Sequence, residues 1–124
     1  MIHGVGVDIV DIERIRNSVG HFGEDFLERV FTPAEVEYCM KRKDPHPSLA
    51  ARFAAKEAMI KALITDETIP LKDIEVTISE SGKPSILPGE KLREVMDSAG
   101  VTSSHLSLSH EKRYAVAYVV LESC

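Results

Sequence analysis

Cysteine is nearly absent from this chain, with only Cys39 and Cys124 in 124 residues. Two thiols so far apart build neither a disulfide framework nor a cysteine zinc site, so a reducing, cytoplasmic setting is expected. Long apolar runs are missing too. The N-terminal MIHGVGVDIV is short, includes a His and an Asp, and has no basic flank or cleavage site. That excludes a membrane span and a signal peptide there. Positive charge is not in excess: the formal net charge of −5 argues against a dedicated nucleic-acid binder. No Gly-rich phosphate loop, G-x-S-x-G elbow, internal repeat or low-complexity run occurs. What is left is the composition of an ordinary globular protein, one domain over 1–124, long enough for a modest core.

The strongest pattern is Ala51–Ile64, ARFAAKEAMIKALI. It is rich in alanine, holds no Gly or Pro, and predicts a helix. At about 100° per residue, Leu49, Phe53, Ile60, Leu63 and Ile64 form one apolar stripe. Lys56 falls inside that stripe, where a cation needs a partner or an opening to water. Glu57 and Lys61 lie on its edge one turn apart, a spacing that on a bare surface is worth only about 0.3–0.5 kcal/mol. The alanines at 51, 55, 58 and 62 share the opposite side, which suits close packing.

Around this helix the chain alternates element types. Ile2–Val10 predicts a strand with glycines at 4 and 6, weak unless another backbone or a ligand comes close. Ile12–Val19 and Glu24–Val30 predict short helices. Thr32-Pro33-Ala34-Glu35 signals another helix start, with an N-cap, a first-turn proline and a glutamate at the third position. That helix runs to about Lys41, and Pro45 and Pro47 stiffen the connector beyond it. Ile74–Ser79 and Ser85–Leu87 form a hairpin, Pro88–Ala99 a helix stopped by Gly100, and Ser104–His110 and Tyr114–Leu121 a second hairpin. The order predicts an α+β fold, a mainly antiparallel sheet packed against a long central helix and shorter helices.

Asp8, Glu57 and His110 stand at element ends or rims. A carboxylate in the apolar setting of Asp8 needs a partner or a metal, unless Asp8 or Asp11 merely caps the next helix. Two carboxylates from separate elements, with no Cys/His ligand spacing, suit Mg²⁺ rather than Zn²⁺. Lys61 then meets a phosphate as a point charge. Arg14 and Arg16 form a small basic patch, either a solvated face or a contact for an acidic partner. Lys41-Arg42-Lys43 complements a helix dipole and also suits phosphate.

Three stretches in order, GVGVDIVDIERI (Gly4–Ile15), RFAAKEAMIKAL (Arg52–Leu63) and LSLSHEKRYAVAYVVLE (Leu106–Glu122), resemble the small holo-acyl-carrier-protein synthases. These are 4′-phosphopantetheinyl transferases. The resemblance implies transfer of phosphopantetheine from coenzyme A to a serine of apo acyl carrier protein, with 3′,5′-ADP leaving, in fatty acid biosynthesis. It implies Asp8 and Glu57 as Mg²⁺ ligands and Lys61 as a phosphate contact. It implies Arg52, Lys41, Arg42, Lys43 and the Gly82-Lys83-Pro84 turn as coenzyme A contacts. His110 matches a histidine of some members, a base or a coenzyme A contact, with Glu57 or a metal-bound water as the other bases. Arg14 matches the carrier-protein contact. A homotrimer with sites between subunits is implied, without nucleic acid or membrane. The family's Gly-Thr-Gly loop is replaced here by Ile64-Thr65-Asp66-Glu67, and the glycine before Arg52 by Ala51. The altered loop suggests the alternative of a non-catalytic coenzyme A or carrier-protein binding module.

Overall fold

The structure is a computed structural model that describes residues 1–124. In order come β1 (Ile2–Asp11), α1 (Ile12–Phe22), α2 (Glu24–Val30), α3 (Pro33–Met40) and α4 (His46–Leu63). A 3₁₀ turn (Leu71–Asp73) then leads to β2 (Ile74–Ile78), β3 (Pro84–Pro88), α5 (Glu90–Ala99), β4 (Val101–His110) and β5 (Tyr114–Ser123). The class is α+β, and every strand pair is antiparallel. The strands divide into a β1-β5-β4 sheet and a separate β2-β3 ribbon. No helix is long and apolar enough to cross a membrane.

Helix α4 lies across β1 and β5, and small residues let it come close. Ala51, Ala55, Ala58 and Ala62 are all buried. A β-carbon at Gly6 would overlap the carbonyl oxygen of Ala58, and one at Gly4 that of Ala62. The strand glycines are thus the other half of the alanine surface. The close backbone that those two glycines called for is the central helix. Val5, Val7 and Ile9 are exposed, because strand side chains alternate and the glycine-bearing face takes the helix. Strand β5 behaves alike: Ala115, Ala117, Val119 and Leu121 are buried, while Tyr118 is exposed. Gly6→Ala should push α4 off the sheet, costing about 2–3 kcal/mol. A thermal melt should show it, and a change of less than about 2 °C would refute the close-contact account.

The central helix starts at His46, beside Pro47 as the connector prolines suggest, and corrects two expectations. It is buried on nearly all sides rather than along one stripe. Ile64, placed on that stripe by periodicity, instead ends the helix in the left-handed region at φ 55°, ψ 56°, and is exposed. An L residue there costs roughly 1–2 kcal/mol. The chain makes without glycine the turn that glycine makes readily.

Lys56 is fully buried. Its ammonium donates to Glu35 Oε1 at 2.8 Å and to the carbonyls of Leu71 at 3.0 Å and Ile74 at 2.7 Å. Three N–H groups meet three acceptors. Burial pushes the lysine's pKa down and the Glu35 charge opposes that shift. Glu35 has a double duty. It completes the predicted capping box with Thr32 on α3, and its Oε2 accepts from Val76 N at 3.0 Å on β2. One buried ion pair therefore ties α3, α4 and the β2 segment together.

Candidate active site

Two cavities flank α4. The first, of about 240 Å³, is lined by Asp8, Arg14, Phe53 and Glu57 among others. Asp8 reaches it from β1 on the glycine-bearing face, and Glu57 comes from α4. Asp11, not Asp8, caps α1 by accepting from Glu13 N at 2.9 Å, so Asp8 is left without a capping role. Its Oδ1 accepts from Lys61 Nζ at 2.9 Å, and the same ammonium donates to the Val7 carbonyl at 3.0 Å. The lysine is therefore bound to Asp8 rather than paired with Glu57. Burial pushes the Glu57 carboxyl above the usual range, the Asp8 charge adds to that, and Lys61 opposes it.

The second cavity, of about 450 Å³, is lined by Tyr38, Arg42, Asp44, Ser48, Arg52, Gly82, Pro84 and His110 among others. Arg52 is only 3% exposed and forms no ion pair with any carboxylate. It donates to Ser48 Oγ at 2.7 Å, and its guanidinium lies 4.4 Å over the Tyr38 ring. Its buried Nε has no hydrogen-bond partner, an omission that costs on the order of 1–3 kcal/mol. Arg42 sits over the other part of Tyr38, 5.1 Å from the ring centroid, and donates to its hydroxyl at 2.8 Å. A buried cation with an idle donor, beside a second arginine and an aromatic ring, fits an anionic ligand with a flat group.

The predicted residues thus separate into two groups. Asp8, Glu57 and Arg14 line the first cavity, with Lys61 held on Asp8; Arg42, Arg52, Gly82, Pro84 and His110 line the second. Lys41, Lys43 and Lys83 are exposed and line neither, and Lys41 lies 3.8 Å from Glu37. His110 and Asp8 stand on the two edge strands with β5 between them, on the same sheet face but separated by roughly 10 Å of sheet width. Sequence reasoning missed Tyr38, Ser48 and Asp44. Ser48 sits four residues before Arg52 on α4, and Tyr38 four before Arg42, which lies just past the end of α3, a spacing that was available as a signal.

A family model described as the 4′-phosphopantetheinyl transferase superfamily matches residues 4–119. The holo-(acyl-carrier-protein) synthase of Syntrophus aciditrophicus (strain SB) is 45% identical over 124 residues, covering 98% of this chain and 97% of that protein. Among solved structures, holo-(acyl-carrier-protein) synthase from Neisseria meningitidis superposes with TM-score 0.91 at 35% identity, covering 99% and 100% of the two chains. The synthase from Bacillus anthracis str. Ames, solved in complex with CoA (3′,5′-ADP), gives TM-score 0.81 at 36% identity, covering 100% and 99%. With a family match over residues 4–119 and relatives alike along nearly the whole chain, this protein belongs to the 4′-phosphopantetheinyl transferase superfamily.

Proposed function

We propose that the chain, one transferase domain over 1–124, moves 4′-phosphopantetheine from coenzyme A to a serine of apo acyl carrier protein, releasing adenosine 3′,5′-bisphosphate. The observation that carries this reading is the seating of Asp8, Glu57 and Lys61 beside one end of α4, with the buried, unpaired Arg52 on the same helix. The Arg52 cavity takes the bisphosphate end of coenzyme A: phosphate on the idle Nε and on Arg42, with His110 at the rim. The pyrophosphate then runs along α4 towards Lys61, nine residues past Arg52 and one turn beyond Glu57.

The donor set fits Mg²⁺. Asp8 and Glu57 offer hard oxygen ligands, and their mutual repulsion is what a divalent cation relieves. The chemistry such an ion supplies is neutralisation of charge gathering on the pyrophosphate oxygens. The protein's own residues do the rest. Lys61 holds a phosphate oxygen with the ammonium it now shares with Asp8. Glu57 is placed to take the proton of the serine hydroxyl as its oxygen bonds to the β-phosphorus. The bond from that phosphorus to the bridging oxygen breaks, and the bisphosphate departs. His110, on the opposite edge strand β4, belongs with the nucleotide.

Arg14, at the mouth of the carboxylate cavity, is placed to meet an acidic carrier protein. The exposed Val5, Val7, Ile9 and Tyr118 on the outer face of β1 and β5 support a homotrimer, since a row of this kind is normally covered. The two free cysteines suit the cytoplasm. Incubation with coenzyme A, Mg²⁺ and apo carrier protein should add one phosphopantetheine mass to the carrier, and the active species should sediment as three chains. A folded protein that binds coenzyme A and leaves it intact would establish the binding-module alternative instead.

A further inference from the structure

Asp44 is out of place in a cavity read as anion-binding. It lines the same cavity as Arg42, Arg52 and His110, and its carboxyl is held well below the usual carboxylate range by hydrogen bonds from Arg16 and then His46. It therefore stays ionised at any working pH. A fixed negative charge there repels the phosphate that the arginines attract. Arg16 offsets it. From α1, its guanidinium grips Asp44 with both end nitrogens, at 3.3 and 3.0 Å to Oδ1 and Oδ2, while Nε donates to Glu13 at 3.1 Å. His46 Nδ1 also approaches Oδ1 at 2.8 Å, and the backbone N–H of His46 donates to it at 3.2 Å. Arg16 itself lines neither cavity.

We propose that Arg16 is a positioning residue for the nucleotide: by neutralising Asp44 and tying the Asp44–His46 connector to α1, it sets the affinity of the arginine-lined cavity. The assignment rests on the transferase reading for the identity of the nucleotide, and on the geometry alone for the role of the pair. Two consequences separate it from a structural brace. Both side chains are partly exposed, 39% for Arg16 and 48% for Asp44, so their ion pair adds little stability and its loss should leave the melting temperature nearly unchanged. The harm of losing Arg16 should also come from Asp44, so removing Asp44 as well should undo it.

The experiment is a cycle of Arg16→Ala, Asp44→Ala and the double variant, with Arg16→Lys as the conservative replacement. Adenosine 3′,5′-bisphosphate binding is measured by calorimetry, and KM for coenzyme A and kcat are measured with saturating carrier protein. Arg16→Ala should weaken bisphosphate binding and raise KM by roughly three- to tenfold, the scale of one uncompensated charge at a partly exposed site, with kcat unchanged. Arg16→Lys should recover part of the loss and the double variant most of it. Unchanged bisphosphate affinity in Arg16→Ala, or a double variant as weak as the single, overturns the proposal. So does a wild-type chain that binds no bisphosphate. A wild-type chain that binds it yet transfers nothing overturns the transferase reading and leaves the Arg16 cycle to be read by calorimetry.

Discussion

Lys56→Met is expected to lower the melting temperature by roughly 12–20 °C, from about 3–5 kcal/mol for breaking one side of a buried ion pair and about 4 °C per kcal/mol for a domain of this size. Methionine fills the space but leaves the Glu35 carboxylate, 1% exposed, without a counter-ion. It also strips a donor from the carbonyls of Leu71 and Ile74. The backbone N–H groups of Thr32 and Val76 still donate to Glu35, so the carboxylate is partly solvated by the protein and the loss falls short of complete unfolding. Adding Glu35→Gln should recover a large part of the stability, because an amide keeps an acceptor for those N–H groups and carries no charge. Calorimetric melts of the three proteins check this. A single variant melting within about 3 °C of the parent would mean that water reaches the pair, contrary to the burial of both side chains.

Asp8→Asn and Glu57→Gln are each expected to reduce transfer by at least about a hundredfold, the usual scale for losing a group that stabilises developing charge. Neither should unfold the protein. Asp8 gives up an ion pair with a lysine that is 54% exposed, which is worth little. Glu57→Gln should in fact melt slightly higher than the parent at neutral pH in metal-free buffer. Burial and Asp8 raise the pKa of Glu57 in the fold, so its ionised form is less favourable folded than unfolded. The parent's stability must then fall as pH rises through that folded pKa, and the amide variant must lack that fall. Tracking melting temperature against pH with a chelator present tests the sign. A Glu57→Gln protein less stable than the parent at pH 7–8, or one that transfers at the parent's rate, would sink the assignment. Such a result also bears on why the site is tolerated, since a functional carboxylate held against its own preference costs stability.

How far the sequence could be read depended on whether the cause was local. The Thr32–Glu35 capping box, the Gly100 stop and the α+β order follow from near neighbours, and the structure has them. Lys56 visibly needed a partner, but that partner lies 21 residues away and only the fold brings it near. Strand β1 was legible only in part. Alternation gives the period of a strand and not which face goes inward. Gly4 and Gly6 signalled a close backbone or ligand, and only the fold shows that α4 is what seats there, on the main chain itself. At the site, Asp8 and Glu57 stood out as carboxylates in apolar settings. Tyr38, Ser48 and Asp44 did not, since an aromatic, a hydroxyl and a surface acid are ordinary on helices and connectors. Their meaning comes from Arg52, whose burial no local pattern announces.

The seating of α4 on the β1 backbone has a consequence for the order in which the molecule opens. Where helix and strand meet through alanine and glycine, no side chain can rotate away to admit water, so local fluctuations cannot separate them. Amide protons of α4 around Ala58 and Ala62, and of β5 beneath them, should exchange with solvent only when the whole fold opens. Glu57 is carried by α4 and Asp8 by β1, the strand on which α4 is seated. The carboxylates that must stay in register for chemistry are thus mounted on the last part of the protein to come apart, while Arg16 and Asp44, on the periphery, belong to a part free to breathe.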